Sequence, residues 1–221
     1  TADVLRGYGY NGEIIIMPNG TDLWYPTDED RRLIQSEYSL GDGNVFLFVG
    51  QHNFKKNTRH IIEALEIYAK THDDFKMVFI GQGPDAEKMR ELVEEKGLGG
   101  KTVFTGHISD RNKLMRFYAR ADLFIFPSLY DSAPLVLREA AAAGTPALMI
   151  RNSCAAQNGV DGENCFLCDD TPESIALTME KALPEAVRVG MNARNTIPVP
   201  WSGIVDMALK RYANLIEKMN R

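Results

Sequence analysis

The stretch Leu123-Phe-Ile-Phe-Pro-Ser-Leu-Tyr-Asp-Ser-Ala-Pro-Leu-Val-Leu-Arg-Glu-Ala-Ala-Ala-Ala-Gly144 runs from four consecutive apolar residues through a turn-rich loop into an alanine-rich segment that closes on glycine. An apolar run this short, with no polar residue in it, suits a strand covered on both faces. Good helix formers then fill Val136–Ala143, and Gly144 can adopt the left-handed conformation that stops a helix. Strand, loop and helix in that order make up the repeating half of a βαβ unit.

The unit recurs on either side. Strand-like runs occupy Glu13–Met17, Val45–Val49, Lys76–Ile80, Thr102–Thr105, Leu123–Phe126 and Pro146–Ile150, with a shorter one around Phe166. Helical periodicity covers Thr58–Lys70, Pro84–Lys96 with Pro84 in the first turn, and Arg111–Ala119 behind Asp110 as N-cap. After a Gly- and Asn-containing loop, residues 152–164, helices are expected at Pro172–Leu183, Glu185–Thr196 and Trp201–Met219. The alternation predicts an α/β protein, a parallel sheet with helices on both faces.

Composition narrows the function. The 221 residues are 44% hydrophobic and 25% charged, ordinary globular values that suit one large domain with extensions. Twenty-five Lys and Arg against 30 Asp and Glu give a net charge of −5, which argues against nucleic acid as the main partner yet leaves room for one local basic pocket. No apolar run approaches the ~20 residues needed to cross a bilayer, and the opening residues lack a signal-peptide pattern. Three cysteines suit a reducing compartment. Cys165-Phe-Leu-Cys168 has a metal-like spacing without a second pair, and a short apolar strand explains it as well. Asp28-Glu-Asp30 reads as the acidic first turn of a helix, not a metal triplet. His52, His60 and His72 show no partner in sequence and read as structural or exposed.

Ligands of open parallel sheets bind beyond the carboxyl ends of the strands. There, Gly50 lets backbone approach a ligand, and Lys55 or Lys56 can reach a phosphate. Ile80-Gly-Gln-Gly-Pro84 is a second glycine turn, short of the third glycine of a dinucleotide fingerprint. The third loop puts Asp131 after a strand and Glu139 eight positions on, with the N–H groups of Leu135 and Val136 at a helix N-terminus, ready for an anion. Taken alone, Glu139 is equally a surface residue complementing the helix dipole, and Asp131 a turn former.

In order along the chain, Pro18-Asn-Gly-Thr-Asp22, Phe48-Val-Gly50 with Lys56, Gly81-Gln-Gly-Pro84, Val103-Phe-Thr-Gly106, and Asp131 followed by Glu139-Ala-Ala-Ala-Ala-Gly144 resemble the retaining GT-B glycosyltransferases, the family of sucrose and sucrose-phosphate synthases and many bacterial envelope enzymes. The resemblance runs from about Gly12 to Trp201. It implies the C-terminal half of a GT-B fold: an interdomain crossing and first strand over residues 1–26, a Rossmann-like, doubly wound nucleotide-sugar-binding domain over 27–200, and a C-terminal helix over 201–221. The opening at Thr1 then reads as a continuation from an acceptor domain, and the Met and aromatic residues of Met207–Met219, at helical spacing, read as a face for packing or for docking to that domain.

Carried over by position, the resemblance gives Lys56 the donor diphosphate, Glu139 the ribose hydroxyls, and Asp131 the reacting face of the donor sugar. Ser132, Ala133, Pro134, Leu135 and Val136 would meet the diphosphate and sugar through main-chain N–H groups, and His107 and Ile108 the base. Gly50, Gln51, Gly81 and Gly83 complete the donor set. Gln51 stands where the family usually has arginine, Asp131 where it has glutamate, and Pro134, which has no N–H, where it commonly has glycine. The implied reaction moves a sugar from a nucleoside diphosphate, UDP first and GDP second, to a glycan or lipid-linked acceptor with retention and without a metal or other cofactor. The implied setting is cytoplasmic, with peripheral membrane association of the longer protein at the inner face. A nucleotide-sugar epimerase and a non-catalytic nucleotide-binding module are the competing readings.

Overall fold

The structure, a computed structural model, describes residues 2–219; Thr1, Asn220 and Arg221, which fall in the expected segments 1–26 and 201–221, and the side chains of Lys218 and Met219 lie outside the described residues. The elements follow in the order α1 (Ala2–Gly7), α2 (Asp28–Glu37), β1 (Asn44–Val49), α3 (Thr58–Tyr68), β2 (Phe75–Ile80), α4 (Ala86–Glu95), β3 (Thr102–Gly106) and α5 (Arg111–Arg120). Then come β4 (Leu123–Phe126), α6 (Leu135–Ala143), β5 (Ala147–Ile150), β6 (Phe166–Cys168), α7 (Pro172–Ala182), α8 (Ala186–Thr196) and α9 (Trp201–Met219). They form two compact units, Thr21–Pro198 and the residues up to Gly20 together with those from Val199 onward.

In the larger unit all six strands are parallel, in the order β3-β2-β1-β4-β5-β6. This is the doubly wound sheet that the alternation predicts. The unbroken apolar runs are explained by burial on both faces: Phe46, Leu47 and Phe48 of β1 have no exposed surface, nor do Leu123, Phe124 and Ile125 of β4. Phe48 packs between Phe79 and Phe126, with ring centroids 5.9 and 6.4 Å away, so aromatic side chains tie the three central strands together. Helices α3, α4 and α7 pack together as one layer, and α2, α5, α6 and α8 as the other. Thr27 and Asp30 make a reciprocal capping box at the start of α2, Asp30 also binds Arg116 of α5 at 2.9 Å, and Asp28 pairs with Arg31 at 3.2 Å. Gly144 ends α6 with φ +84°.

Two local expectations are corrected. Glu13–Met17 is not a strand: it lies in the smaller unit, pairs with no strand of the sheet, and leaves Ile15, Ile16 and Met17 between 43% and 82% exposed. An apolar run needs a neighbouring edge to become a strand, and β3 and β6 form the edges of this sheet. Pro84 lies outside α4, which starts at Ala86 behind Asp85, and the Asp85 carboxylate makes no cap hydrogen bond: one oxygen accepts the Phe54 N–H at 3.0 Å and the other pairs with Lys88 at 3.4 Å.

In the smaller unit the Trp201 indole lies against Gly20, and Arg211 of α9 makes an ion pair with Glu13. Val205, Met207, Leu209, Tyr212, Leu215 and Ile216 of α9 are at least two-fifths exposed. No helix among the described residues is long and apolar enough to cross a membrane.

Candidate functional site

The strand order reverses between β1 and β4, and at such a point the loops leaving adjacent strands diverge and open a crevice. The loop after β1 makes a single 3₁₀ turn at Phe54–Lys56, capped by the Asn53 side chain, and Asn57 then takes a left-handed conformation at φ 62° before α3 begins. From there the Asn57 amide donates to the carbonyl oxygen of Pro127 at 3.4 Å and to Asp170 at 2.5 Å, tying this loop to those after β4 and β6. Lys56 therefore faces the loop after β4, and its Nζ lies 2.5 Å from Asp131 Oδ1. The other Asp131 oxygen, Oδ2, is buried without a hydrogen-bond partner.

Beyond Asp131, α6 begins at Leu135 behind Pro134, and the N–H groups of its first turn have no partner within the helix and no side-chain cap. Glu139 lies one turn further along. Its side chain is 12% exposed, and both oxygens are engaged: Oε1 accepts from Arg111 at 2.8 Å and Oε2 from the Tyr118 hydroxyl at 3.2 Å. Burial first, and the Glu139 charge second, push the Tyr118 phenol well above its ordinary pKa, so it stays a donor.

The ends of β1, β2 and β3 build the adjoining depression, lined by Gly50, Gln51, Gly81, Gln82, His107 and Ile108 among others. Backbone bonds lock its floor: the Gly50 N–H to Ile80, the His52 N–H to Gln82 and the Gly81 N–H to Gly106, all at 2.9–3.0 Å. Gly81 has φ +138°, and a Cβ there would strike the Gly50 carbonyl oxygen; one at Gly83 would strike that of His52. These two glycines let the loops after β1 and β2 touch. His52 beneath them is 1% exposed among Phe48, Phe79 and Phe104, with neither ring nitrogen hydrogen-bonded. Burial, and secondarily Arg90, lowers its pKa to about 4.

The sequence-predicted residues thus fall in several places. Gly50, Gln51, Gly81, His107 and Ile108 surround one depression, and Lys56 meets Asp131 directly. Ser132, Ala133 and Pro134 instead line a separate cavity toward Met149, Cys154 and Ile197. Sequence reasoning missed Arg111 and Tyr118, while His52 is buried, the structural of the two alternatives that the sequence left open. Arg111 and Tyr118 stand seven residues apart, two turns on one face of α5, and that spacing was the available signal. His60 pairs with Asp170 at 3.1 Å, and His72 stacks on Tyr68. Cys165 and Cys168 are buried thiols, raised to about 12 by that burial.

The profile of the family described as Glycosyl transferases group 1 matches residues 30–196, the whole span from the first turn of α2 to the end of α8. The chain belongs to this family. Among the curated relatives, the GDP-mannose-dependent alpha-(1-6)-phosphatidylinositol dimannoside mannosyltransferase of Mycobacterium tuberculosis is 27% identical over 73% of the chain and 42% of its own length. The C-terminal domain of a glycosyl transferase group 1 family protein from Francisella tularensis superposes with a TM-score of 0.71 at 23% identity, covering 80% of this chain and 96% of that one. An Anabaena protein solved in complex with UDP superposes with a TM-score of 0.78 at 17% identity, over 92% of this chain and 57% of that one. At those identities the two structures speak for the fold. The chain spans about half the length of the curated relatives it matches.

Proposed function

We propose that this chain is the donor-binding half of a retaining glycosyltransferase. The observation that carries the reading is the row of groups along the carboxyl edge of the sheet: Lys56 against Asp131, the first turn of α6, and Glu139. A nucleoside diphosphate sugar supplies matching chemistry, with its base in the depression at His107 and Ile108, its ribose hydroxyls on Glu139 and its diphosphate between Lys56 and the N–H groups of Leu135 and Val136. As the bond from the anomeric carbon to the diphosphate opens, that cation and those fixed dipoles stabilise the charge collecting on the leaving group. The acceptor oxygen bonds to the same face of the anomeric carbon, and its proton passes to the departing phosphate oxygen. Asp131 lies by the developing positive charge on the sugar. No step calls for a metal.

UDP is the first expectation for the nucleotide and GDP the second; the UDP complex of the Anabaena protein and the GDP-mannose named for the mycobacterial relative support the pair. A glycan or lipid-linked acceptor would be held by a second domain, so the 221 residues alone bind nucleotide and transfer nothing. Calorimetric titration with UDP, GDP and ADP, repeated on Lys56→Ala and Glu139→Ala, tests the reading. One nucleotide bound selectively, and weakened at least tenfold by each substitution, is the expected result; failure of all three to bind would overturn it.

A further inference from the structure

Glu139 has more partners than a ribose-binding carboxylate requires. Arg111 and Tyr118 reach it from one face of α5, the first at Oε1 and the second at Oε2. Their surroundings differ. Tyr118 is fully buried, its backbone carbonyl held by the Thr145 hydroxyl at 2.5 Å just past the end of α6, so its side chain has little freedom. Arg111, the first residue of α5, has a side chain that is 61% exposed at the rim. A carboxylate offers about four lone-pair positions on two oxygens. Two are taken here, one on each oxygen, which leaves one acceptor position per oxygen.

We propose that Tyr118 and Arg111 are positioning residues that hold the Glu139 carboxylate so that each oxygen presents one free acceptor position to one hydroxyl of a vicinal diol. The diol is the ribose of the nucleoside diphosphate, so this assignment rests on the donor-site reading. Neither residue touches the nucleotide; both act through Glu139. Tyr118, buried and rigid, fixes the orientation, while Arg111 adds an exposed and weaker restraint. The pair thereby sets preference for ribonucleotides over deoxyribonucleotides rather than affinity for phosphate.

The test is calorimetric titration of the 221-residue chain, Tyr118→Phe, Arg111→Met and Arg111→Lys with whichever of UDP, GDP and ADP the unaltered chain binds, and with its 2′-deoxy and 3′-deoxy forms. The unaltered chain is expected to prefer the ribo form by roughly tenfold over each deoxy form. Tyr118→Phe should weaken the ribo form by roughly tenfold and the deoxy forms by less than about twofold, collapsing the preference. Arg111→Met should cost roughly threefold on the ribo form alone, with Arg111→Lys restoring part of it. Should Tyr118→Phe fail to fold, Arg111→Met and its lysine rescue decide the matter. Equal losses on ribo and deoxy forms, or none, would overturn the assignment while the donor site stands. If the unaltered chain binds no nucleotide, or binds ribo and deoxy forms alike, the reading of Glu139 fails first and takes this assignment with it.

Discussion

Lys56 Nζ lies 2.5 Å from Asp131 Oδ1, an ion pair that joins the loops after β1 and β4 across the point where the strand order reverses. Each side chain is about a quarter exposed, so the pair is partly screened and can exchange partners. On the proposed donor-site reading, a diphosphate arriving at Lys56 would meet the Asp131 charge as a competitor.

Asp131→Asn removes that competitor while leaving a side chain of the same shape. On the proposed reading, affinity for the nucleoside diphosphate should rise about threefold, whereas sugar transfer by this chain joined to an acceptor domain should fall by at least about a hundredfold. Calorimetry checks the first figure and a transfer assay the second; weaker binding would count against Asp131 and phosphate sharing Lys56.

Gln51 brings a hydrogen-bond donor and no charge to the rim of the depression beside Gly50. Gln51→Arg should tighten binding of the diphosphate about fivefold at low salt, and most of the gain should vanish near 0.5 M salt. The matching nucleoside without phosphates should bind unchanged. A gain that appears equally on the nucleoside would point to packing instead of charge.

His52 is held neutral to about pH 4 by burial, against an ordinary 6.5. Between those values the unfolded chain binds the extra proton and the folded chain does not. The contribution of His52 to stability is therefore intact above about pH 6.5 and is lost as pH falls toward 4, amounting to about 2 kcal/mol by pH 5. His52→Leu should flatten that part of the stability curve. Urea unfolding midpoints of both proteins between pH 7.5 and 4.5 give the comparison; parallel curves would contradict it.

Gly81→Ala asks for a Cβ where the Gly50 carbonyl oxygen already lies, at a backbone conformation that side chains rarely adopt. It should cost about 3 kcal/mol and abolish nucleotide binding with it. Gly97 is also left-handed, at φ +68°, but nothing lies within 4 Å of its would-be Cβ, so Gly97→Ala should cost only about 1 kcal/mol. Equal losses would show that backbone strain, not the contact between loops, dominates at Gly81.

Much of the fold was written in local pattern. The apolar runs that became β1, β4 and β5 could be read because strands buried on both faces leave no polar interruption, and Asp110 and Gly144 marked helix ends because capping is a matter of one residue and its nearest backbone. Glu13–Met17 carries the same apolar signal yet forms no strand, since pairing depends on an edge elsewhere in the chain. Pro84 failed as a helix start because Asp85 serves Phe54, a residue 31 positions away.

The chain by itself determined an α/β protein with Lys56, Asp131 and Glu139 in loops and first turns at the carboxyl ends of strands, because spacing along a strand or helix fixes which end a residue occupies. Only the tertiary structure decided who meets whom. It paired Lys56 with Asp131 over a separation of 75 residues, sent Ser132 to Pro134 into a different cavity from Gly50 and His107, and brought Arg111 and Tyr118 of α5 onto Glu139 of α6. Those contacts follow from the order in which the strands assemble and from how α5 and α6 pack on one another, and neither is a property of any short stretch of sequence.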